Sequence, residues 1–388
     1  MYDTDTVFAQ IMDYVPWRRF QTIVDKYHGD YAEKGFKTNA YFRVLAFAQL
    51  TERRSMRDTI TALLAMKSKL YHMGIRSISR NNLSNASQKR DWRIFAELGN
   101  ILITEAKELY GEAVWNETKT NPVFALDSTT IDLCLSLFDW ADFRSTKAAI
   151  KVHTLLDVHT GIPHFIRIST GKMNDVNILD ELPITAGAYY VMDRGYNDFK
   201  RLSHIDREKA SFVVRTKKNT KVRRIYSRPV DKSTGLRCDQ IAVFTVYRTR
   251  KLYSHKIRRI KYYDEEHKRR LVFLTNNFDL PALVVADLYK KRWQVELFFK
   301  WIKQNLRVKR FFGQSENAVR SQIWVAIDVY LLVAILRKRL KIDRPMAEIL
   351  HIFNVVQFEN IPIFTLLDKT STLKMKLDPT KDPFLPGF

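Results

Sequence analysis

Two acidic residues of this 388-residue sequence, Asp127 and Asp193, occur where an ionised carboxylate is unusual. Asp127 lies inside the apolar run that begins at Val123, and Asp193 directly follows the run Tyr189-Tyr190-Val191-Met192. A carboxylate in an apolar strand is costly unless it is paired or bound to a metal ion. Taken singly, each aspartate is explained at least as well by a turn at a strand end. Together with a third acid on a helix, they indicate a shared cation site.

The third acid, Glu296, falls in a segment whose apolar residues recur at helical spacing. On one helix turning by about 100° per residue, Glu296 shares an arc of roughly 80° with cationic and aromatic neighbours. These neighbours are Tyr289, Arg292, Lys300 and Lys303. The adjoining apolar arc would pack the helix onto a core. From this segment alone, an exposed helix with an i,i+4 ion pair between Arg292 and Glu296 is an equally good explanation.

Three carboxylates in one place repel each other unless a cation lies between them. Magnesium prefers oxygen ligands, and manganese can substitute for it. Two such ions about 3.5–4 Å apart activate a water or a 3′-hydroxyl and stabilise the leaving oxygen of a phosphoryl displacement. The sequence therefore predicts that Asp127, Asp193 and Glu296 bind two Mg²⁺ ions, replaceable by Mn²⁺, for phosphoryl transfer.

Other candidate residues have simpler explanations. Asp132 competes with Asp127, but its spacing along the strand places it on the opposite face. The histidines between residues 153 and 164 match no familiar zinc spacing. Trp293 and Trp301 are interpreted as packing residues, because they occur on a helix with an apolar face.

The charge of the chain indicates a polyanionic partner. Lys and Arg number 65 against 42 Asp and Glu, which gives a net charge of +23. Residues 200–275 hold 23 Lys and Arg against 7 Asp and Glu, so +16 of that charge lies in one fifth of the chain. Alternating segments here, including the one with Arg258 and Arg259, are typical of strands with a basic face. We therefore predict a β-rich insertion that lies along nucleic-acid phosphates.

The pattern of apolar residues changes along the chain. Residues 8–110 have helical spacing, and Arg80 begins a polar helix that is either a DNA-recognition helix or a solvated face, at even odds. From residue 122, three short apolar runs, a helix near 175–182 and a further run predict strands of an α/β or α+β core. No apolar run approaches a membrane span and the N-terminus lacks a signal-peptide pattern, so we expect a cytoplasmic protein without a membrane partner.

We predict five segments from these changes. They are an all-helical domain at 1–120, the first part of the core at 121–200, a basic β insertion at 201–275, the last core helices with Glu296 at 276–345, and a C-terminal helical segment and tail at 346–388 that is a candidate for dimerisation.

These residues resemble the DDE transposases of bacterial insertion sequences, and specifically the insertion sequence four family. The third acid of that family lies in a Tyr-x2-Arg-x3-Glu-x6-Lys signature, which is complete here as Tyr289, Arg292, Glu296 and Lys303. The segments Leu126-Asp127-Ser128-Thr129 and Met192-Asp193-Arg194-Gly195-Tyr196 agree with it in order. The likeness spans roughly residues 123–303, and the helical N-terminal region is similar to an end-recognition domain.

The resemblance implies a ribonuclease H-like core interrupted by a β insertion before its last helix. It implies that Asp127, Asp193 and Glu296 bind the metal ions, and that Tyr289, Arg292 and Lys303 grip terminal phosphates of the transposon end. It also implies double-stranded DNA as substrate and target, a synaptic homodimer, and a reaction of nicking, hairpin formation, hairpin opening and strand transfer. The other candidate DNA contacts are Lys300, Arg80, Arg258 and Arg259.

One departure leaves the hairpin step open. Relatives that form hairpins use a tryptophan of the insertion to stack on a flipped base, yet no Trp occurs here between Asp193 and Trp293. Five tyrosines could stack instead, namely Tyr226, Tyr247, Tyr253, Tyr262 and Tyr263. Two other functions stay open: a nuclease or integrase with the same core, and a domesticated DNA-binding protein that has lost catalysis.

Overall fold

The structure is a computed structural model and describes residues 5–33, 35–76, 78–111, 121–144, 147–217, 219–305 and 311–368. The chain forms two compact units. One comprises Met1–Leu109 together with Trp301–Phe388, and the other comprises Tyr110–Lys300. Each unit is described by itself below.

The helices and strands are numbered in chain order. Helices α1 to α13 are Val7–Met12, Trp17–Lys26, Thr38–Leu50, Met56–Ala65, Arg80–Lys89, Arg93–Tyr110, Phe199–Arg207, Tyr247–Leu252, Ala282–Lys291, Trp293–Asn305, Glu316–Arg339, Met346–Val356 and Ile363–Leu367. Strands β1 to β10 are Val123–Leu133, Asp142–Arg144, Lys147–Asp157, Pro163–Thr170, Tyr189–Met192, Ser211–Arg215, Val222–Arg228, Leu236–Phe244, Ile257–Asp264 and Arg269–Thr275.

Helix α11 is the central helix of the first unit. It begins where the Ser315 hydroxyl accepts a hydrogen bond from the Ala318 N–H at 3.2 Å, which satisfies one of the free N–H groups of a helix start. Its length and composition would allow it to cross a membrane, but 89% of its most apolar window is buried inside the protein. A helix that is apolar on all sides and covered by other helices is a core helix.

A lone acid, Asp328, lies in the middle of α11. Its side chain is fully buried, and neither carboxylate oxygen accepts a hydrogen bond from any residue that the structure describes. The α6 backbone approaches closely, since a Cβ on Gly99 would lie 2.8 Å from Asp328 Oδ1. Burial raises the pKa of Asp328 well above its usual value, because the charged form loses its hydration.

We expect Asp328→Asn to stabilise the first unit in a pH-dependent way. A raised folded-state pKa means that the folded protein binds more protons than the unfolded chain, so stability falls as pH rises above the unfolded-state pKa of about 4. At pH 7 the variant should gain about 1–3 kcal/mol, and the gain should vanish near pH 3. Urea unfolding at both pH values measures this. A gain that is the same at both pH values would contradict the titration of Asp328.

One mixed sheet forms the framework of the second unit. Its strand order is β2-β3-β1-β5-β6-β10-β9-β8-β7, and β4 pairs with β3 outside this path. The pairs β1–β5 and β5–β6 are parallel, whereas the other pairs are antiparallel. Because β5 ends at Met192, opposite Leu126 of β1, the residue that follows β5 lies beside Asp127, which is inside β1.

Both faces of the central strands are covered. Leu126, Met192 and Val214 belong to one buried cluster, and Val123, Val191 and Val213 belong to another on the opposite face. Helix α9 contributes Val285 and Leu288 to the second cluster. Strand β5 is therefore buried at every residue, as a parallel strand covered on both sides should be.

The structure confirms the predicted fold class, a mixed α/β core preceded by helices. Residues 175–182 were predicted as a helix and form a 3-10 helix at Asp175–Asp180. The alternating residues 241–247 predict a strand, and this prediction is wrong at its end, because β8 stops at Phe244 and Tyr247 begins α8. The basic strands continue the core sheet through the β6–β10 pair. The division into five functional segments stays a prediction, and part of the tail, residues 369–388, lies outside the described residues.

Candidate active site

Two adjacent parallel strands bring Asp127 and Asp193 together. Leu126 of β1 pairs with Met192 of β5, so the next residue on each strand is an aspartate, about 4.8 Å apart in the direction of the hydrogen bonds. Side chains alternate along a strand, which places both acids on the face covered by α9. Asp193 also caps the short turn that follows, because its Oδ1 accepts the Gly195 N–H at 2.6 Å. Asp193 therefore does stabilise a turn, as considered from the sequence. This hydrogen bond uses only Oδ1, so Oδ2 could still bind a metal ion.

Arg292 lies at the junction of α9 and α10, and α10 carries the third acid, Glu296. The signature was predicted on one helix, but α9 ends at Lys291 and α10 begins at Trp293. At the junction, Arg292 Nη1 donates to Asp127 Oδ2 at 2.7 Å, and Arg292 Nη2 donates to Glu296 Oε1. One guanidinium therefore joins an acid of β1 to an acid of α10. The i,i+4 ion pair between Arg292 and Glu296 is present, but Arg292 also pairs with Asp127 on β1.

Burial and charge favour a cation beside these acids. The pKa of Asp127 is raised to about 6, chiefly by burial; Arg292 and the Ser128 N–H oppose the rise, and the charges of Asp193 and Glu296 add to it. Carboxylate oxygens are the ligands that hard divalent ions prefer. Arg292 stands in for a positive charge between two of the three acids, so the residues present fit a site for divalent ions.

The predicted DNA contacts near the acids have different exposures. Tyr289 is 7% exposed, and its ring packs on Phe273 with the Arg292 guanidinium 5.8 Å from the ring centre. Lys300 is exposed on α10, whereas Lys303 further along that helix is half-buried. Tyr289 therefore supports the position of Arg292, and only its edge is available to a ligand.

The predicted DNA contacts farther from the acids along the chain also differ in exposure. Arg80 is exposed at the start of α5, where Ser79 caps the helix by accepting the Asn82 N–H at 3.1 Å. Arg259 is half-buried on β9 and donates to Gln240 at 3.2 Å. Both residues remain candidates for phosphate contacts.

The structure corrects the prediction made for Arg258. Arg258 is 1% exposed, and its Nε and Nη2 donate to the two oxygens of Asp239 at 2.8 and 2.7 Å. Its Nη1 donates to the carbonyl of Leu280. The prediction that Arg258 binds DNA was wrong, because consecutive residues of a strand face opposite sides and only Arg259 faces outward. Arg258 holds β9 to β8 and to the loop before α9.

A cavity of about 700 Å³ opens beside Glu296. Its walls include Arg292, Trp293 and Lys290 on one side and Asp264 and His267 of the β9–β10 turn on the other. Trp293 was interpreted as a packing residue, yet it is 55% exposed here. Trp293 is the first residue of α10, and the helical periodicity alone did not indicate that it is exposed.

A second cavity, of about 600 Å³, lies beside Asp193. Five cations line it, and no acid occurs among its described lining residues; the cations are Arg194, Arg215, Lys217, Arg259 and Arg270. Such a concentration of positive charge suits phosphate groups. The sequence analysis identified Arg259 only, since the other four come from three different elements that meet through the sheet.

The tyrosines considered for base stacking are not equivalent. Tyr253 is 2% exposed and donates its hydroxyl to Asp206 at 2.9 Å, which removes it from consideration. Tyr226 and Tyr247 are 56% and 74% exposed. Tyr262 and Tyr263 are half-buried. Trp293 is the exposed aromatic residue that shares a cavity with Glu296.

Comparisons with known proteins identify the family of this chain. The family described as "Transposase DDE domain" matches residues 118–332, and a "Domain of unknown function (DUF4372)" matches residues 3–76. The chain therefore belongs to the DDE transposase family, which confirms the resemblance found in the sequence. Membership of this family makes the protein an enzyme that acts on DNA.

Three relatives are transposases by name. The chain is 29% identical to the transposase y4zB of Sinorhizobium fredii over 78% of this chain and 81% of the relative. It is 30% identical to the transposase for insertion sequence element IS5377 of Geobacillus stearothermophilus over 55% and 56% of the two chains. It is 27% identical to the transposase for insertion sequence element IS4SA of Synechocystis over 70% and 76%.

Proposed function

We propose that this transposase binds the terminal inverted repeats of an insertion sequence, cleaves the DNA there and transfers the strand to target DNA. The observation that supports the proposal is that Arg292 donates to both Asp127 and Glu296, while the register of β1 and β5 puts Asp193 next to Asp127. The names of the relatives support insertion-sequence ends as the substrate. A homodimer and a cytoplasmic place of action belong to the same proposal.

The three acids would hold divalent ions, with Mg²⁺ as the first candidate and Mn²⁺ as its substitute. When bound, such ions supply activation of a water or 3′-hydroxyl and stabilisation of the leaving oxygen. The protein contributes position: β1 and β5 fix two acids in register, and α10 holds the third. Arg292, Lys300, Lys303 and the edge of Tyr289 would orient the terminal phosphates.

The basic cavity, lined by Arg194 and Gly195 directly after Asp193, supports binding of a polyanion on the unit that carries the acids. Its cations would neutralise backbone phosphates without reading the base sequence. Arg80 and the exposed polar face of α5 would contact the transposon end. If the reaction includes a hairpin, Trp293 is the proposed stacking residue, since a flipped base requires an aromatic face near the acids.

We expect DNA binding to weaken steeply with salt, because each neutralised phosphate releases counterions. Lys217→Gln removes an exposed cation from the basic cavity. It should lower the slope of log affinity against log salt by about 1 and weaken binding to all sequences alike. Fluorescence anisotropy over a series of salt concentrations measures the slope. An unchanged slope would exclude this cavity from the interface.

One reaction mixture separates this function from its two rivals. The protein is incubated with Mg²⁺ and DNA that carries the two ends of its own element. Paired cleavage and joining of the ends supports the transposition cycle. Unpaired nicking supports a nuclease or integrase, and binding that requires no metal and leads to no cleavage supports a domesticated DNA-binding protein.

A further inference from the structure

We propose that Arg292 is an internal counter-cation that fills the acid site of the free enzyme and leaves it when a DNA phosphate draws it away. Divalent ions would then enter mainly after DNA has bound. The inference rests on the proposed function, because it concerns the control of the same metal site.

The contacts of Arg292 place it in competition with metal ions. Its two η nitrogens donate to Asp127 Oδ2 and to Glu296 Oε1, so one flat group bridges two acids. A divalent ion bound by the same carboxylates would use those oxygens and would be repelled by the guanidinium charge. Bound metal and Arg292 in its observed position therefore compete for the same two oxygens.

The hydrogen bonds of Arg292 are incomplete in this position. Its Nε is buried and makes no hydrogen bond with any residue that the structure describes. A phosphate accepts a bidentate pair from an arginine, which could include Nε. A phosphate ligand thus offers Arg292 more hydrogen bonds than the two acids allow it.

The cavity beside Glu296 gives the Arg292 side chain a place to move to. Arg292 is 15% exposed and lines the cavity beside Glu296, where Lys290 and Arg269 also lie. The lining also includes Asp264 and Glu266, and Arg269 is paired with Asp264 at 3.1 Å, so Arg292 and Lys290 are the cations that would attract a phosphate there. Binding of the phosphate and binding of the metal then favour each other, and thermodynamic linkage makes this effect equal in both directions.

The test measures metal binding and requires no catalysis. Mn²⁺ is titrated into the full chain without DNA, and free Mn²⁺ is followed by electron paramagnetic resonance. Arg292→Gln should bind Mn²⁺ more tightly than the wild type, by on the order of tenfold or more. The matched control is Lys290→Gln, which removes a cation from the same cavity without touching the acids and should leave the affinity within about twofold.

Circular dichroism first establishes that each variant is folded. If Arg292→Gln does not fold, the wild type is titrated with and without a duplex of the element's end, corrected for Mn²⁺ bound by that duplex alone. Tighter binding with DNA supports the proposal. Equal affinity with and without DNA overturns it, as does an Arg292→Gln variant that binds Mn²⁺ no more tightly than the wild type.

A third variant distinguishes failure of this inference from failure of the proposed function. Asp127→Asn removes a metal ligand and should abolish high-affinity Mn²⁺ binding. If it does so while Arg292→Gln has no effect, the metal site stands and only the role of Arg292 is refuted. If Asp127→Asn leaves Mn²⁺ binding intact, the metal site itself is wrong.

Discussion

Replacing Asp127 with asparagine is expected to abolish DNA cleavage while binding of the transposon end persists. Asparagine keeps the shape of the side chain but removes the charge that would hold a divalent ion beside Asp193 and Glu296. Loss of about 4 kcal/mol of transition-state stabilisation corresponds to a rate reduction of roughly a thousandfold. Asp193→Asn and Glu296→Gln should behave alike. Cleavage of labelled end DNA and a gel-shift assay measure the two properties.

The matched control is Asp132→Asn. Asp132 is on the same strand as Asp127, but it is exposed and pairs with Ala149 near the end of β1. Its replacement removes the same charge from the opposite face of the sheet and should leave cleavage unchanged. Retained cleavage in any one of the three acid variants would remove that acid from the site.

Removing Arg258 is expected to cause the largest loss of stability. Arg258 and Asp239 form a buried ion pair, with 1% and 5% of their side chains exposed. Arg258→Ala leaves the Asp239 carboxylate buried without its partner, which costs about 3–5 kcal/mol. The midpoint of urea unfolding should therefore fall substantially.

The neighbouring variant Arg259→Ala provides the control, because this half-buried side chain makes a single hydrogen bond to Gln240 at 3.2 Å. It should cost at most about 1 kcal/mol and should instead weaken DNA binding. A double variant with Met at both 258 and 239 should recover most of the stability, since apolar residues can replace a buried pair. Near-wild-type stability of Arg258→Ala would refute a structural role.

The sequence marked the three acids as candidates through their combined pattern, although each segment alone also had a simpler explanation. An aspartate within or after an apolar strand is conspicuous, and the fixed spacing of Tyr289, Arg292, Glu296 and Lys303 identified the third acid. The alternation of β9 was equally clear, but a strand pattern does not say which of two consecutive arginines faces inward. Arg258 was assigned wrongly for that reason.

Features that depend on distant parts of the chain could not be predicted. The bridge from Arg292 to Asp127 requires the position of α9 on the sheet, which no local pattern contains. The boundary at Arg292 divides a segment that reads as one continuous helix, and Trp293, interpreted as a packing residue, is 55% exposed. The basic cavity combines residues from separate strands and turns, and only the sheet order brings them together.

The pairing of β10 with β6 has a consequence for how this enzyme can be shortened. Deleting strands β7 to β10 would make β6 an exposed edge strand. Its residues that now pair with Phe273, Leu274 and Thr275 would lose their partners. Exposed edges of this kind recruit strands from other molecules and lead to aggregation. A minimal catalytic fragment would therefore have to keep β10, joined to β6 by a short designed loop.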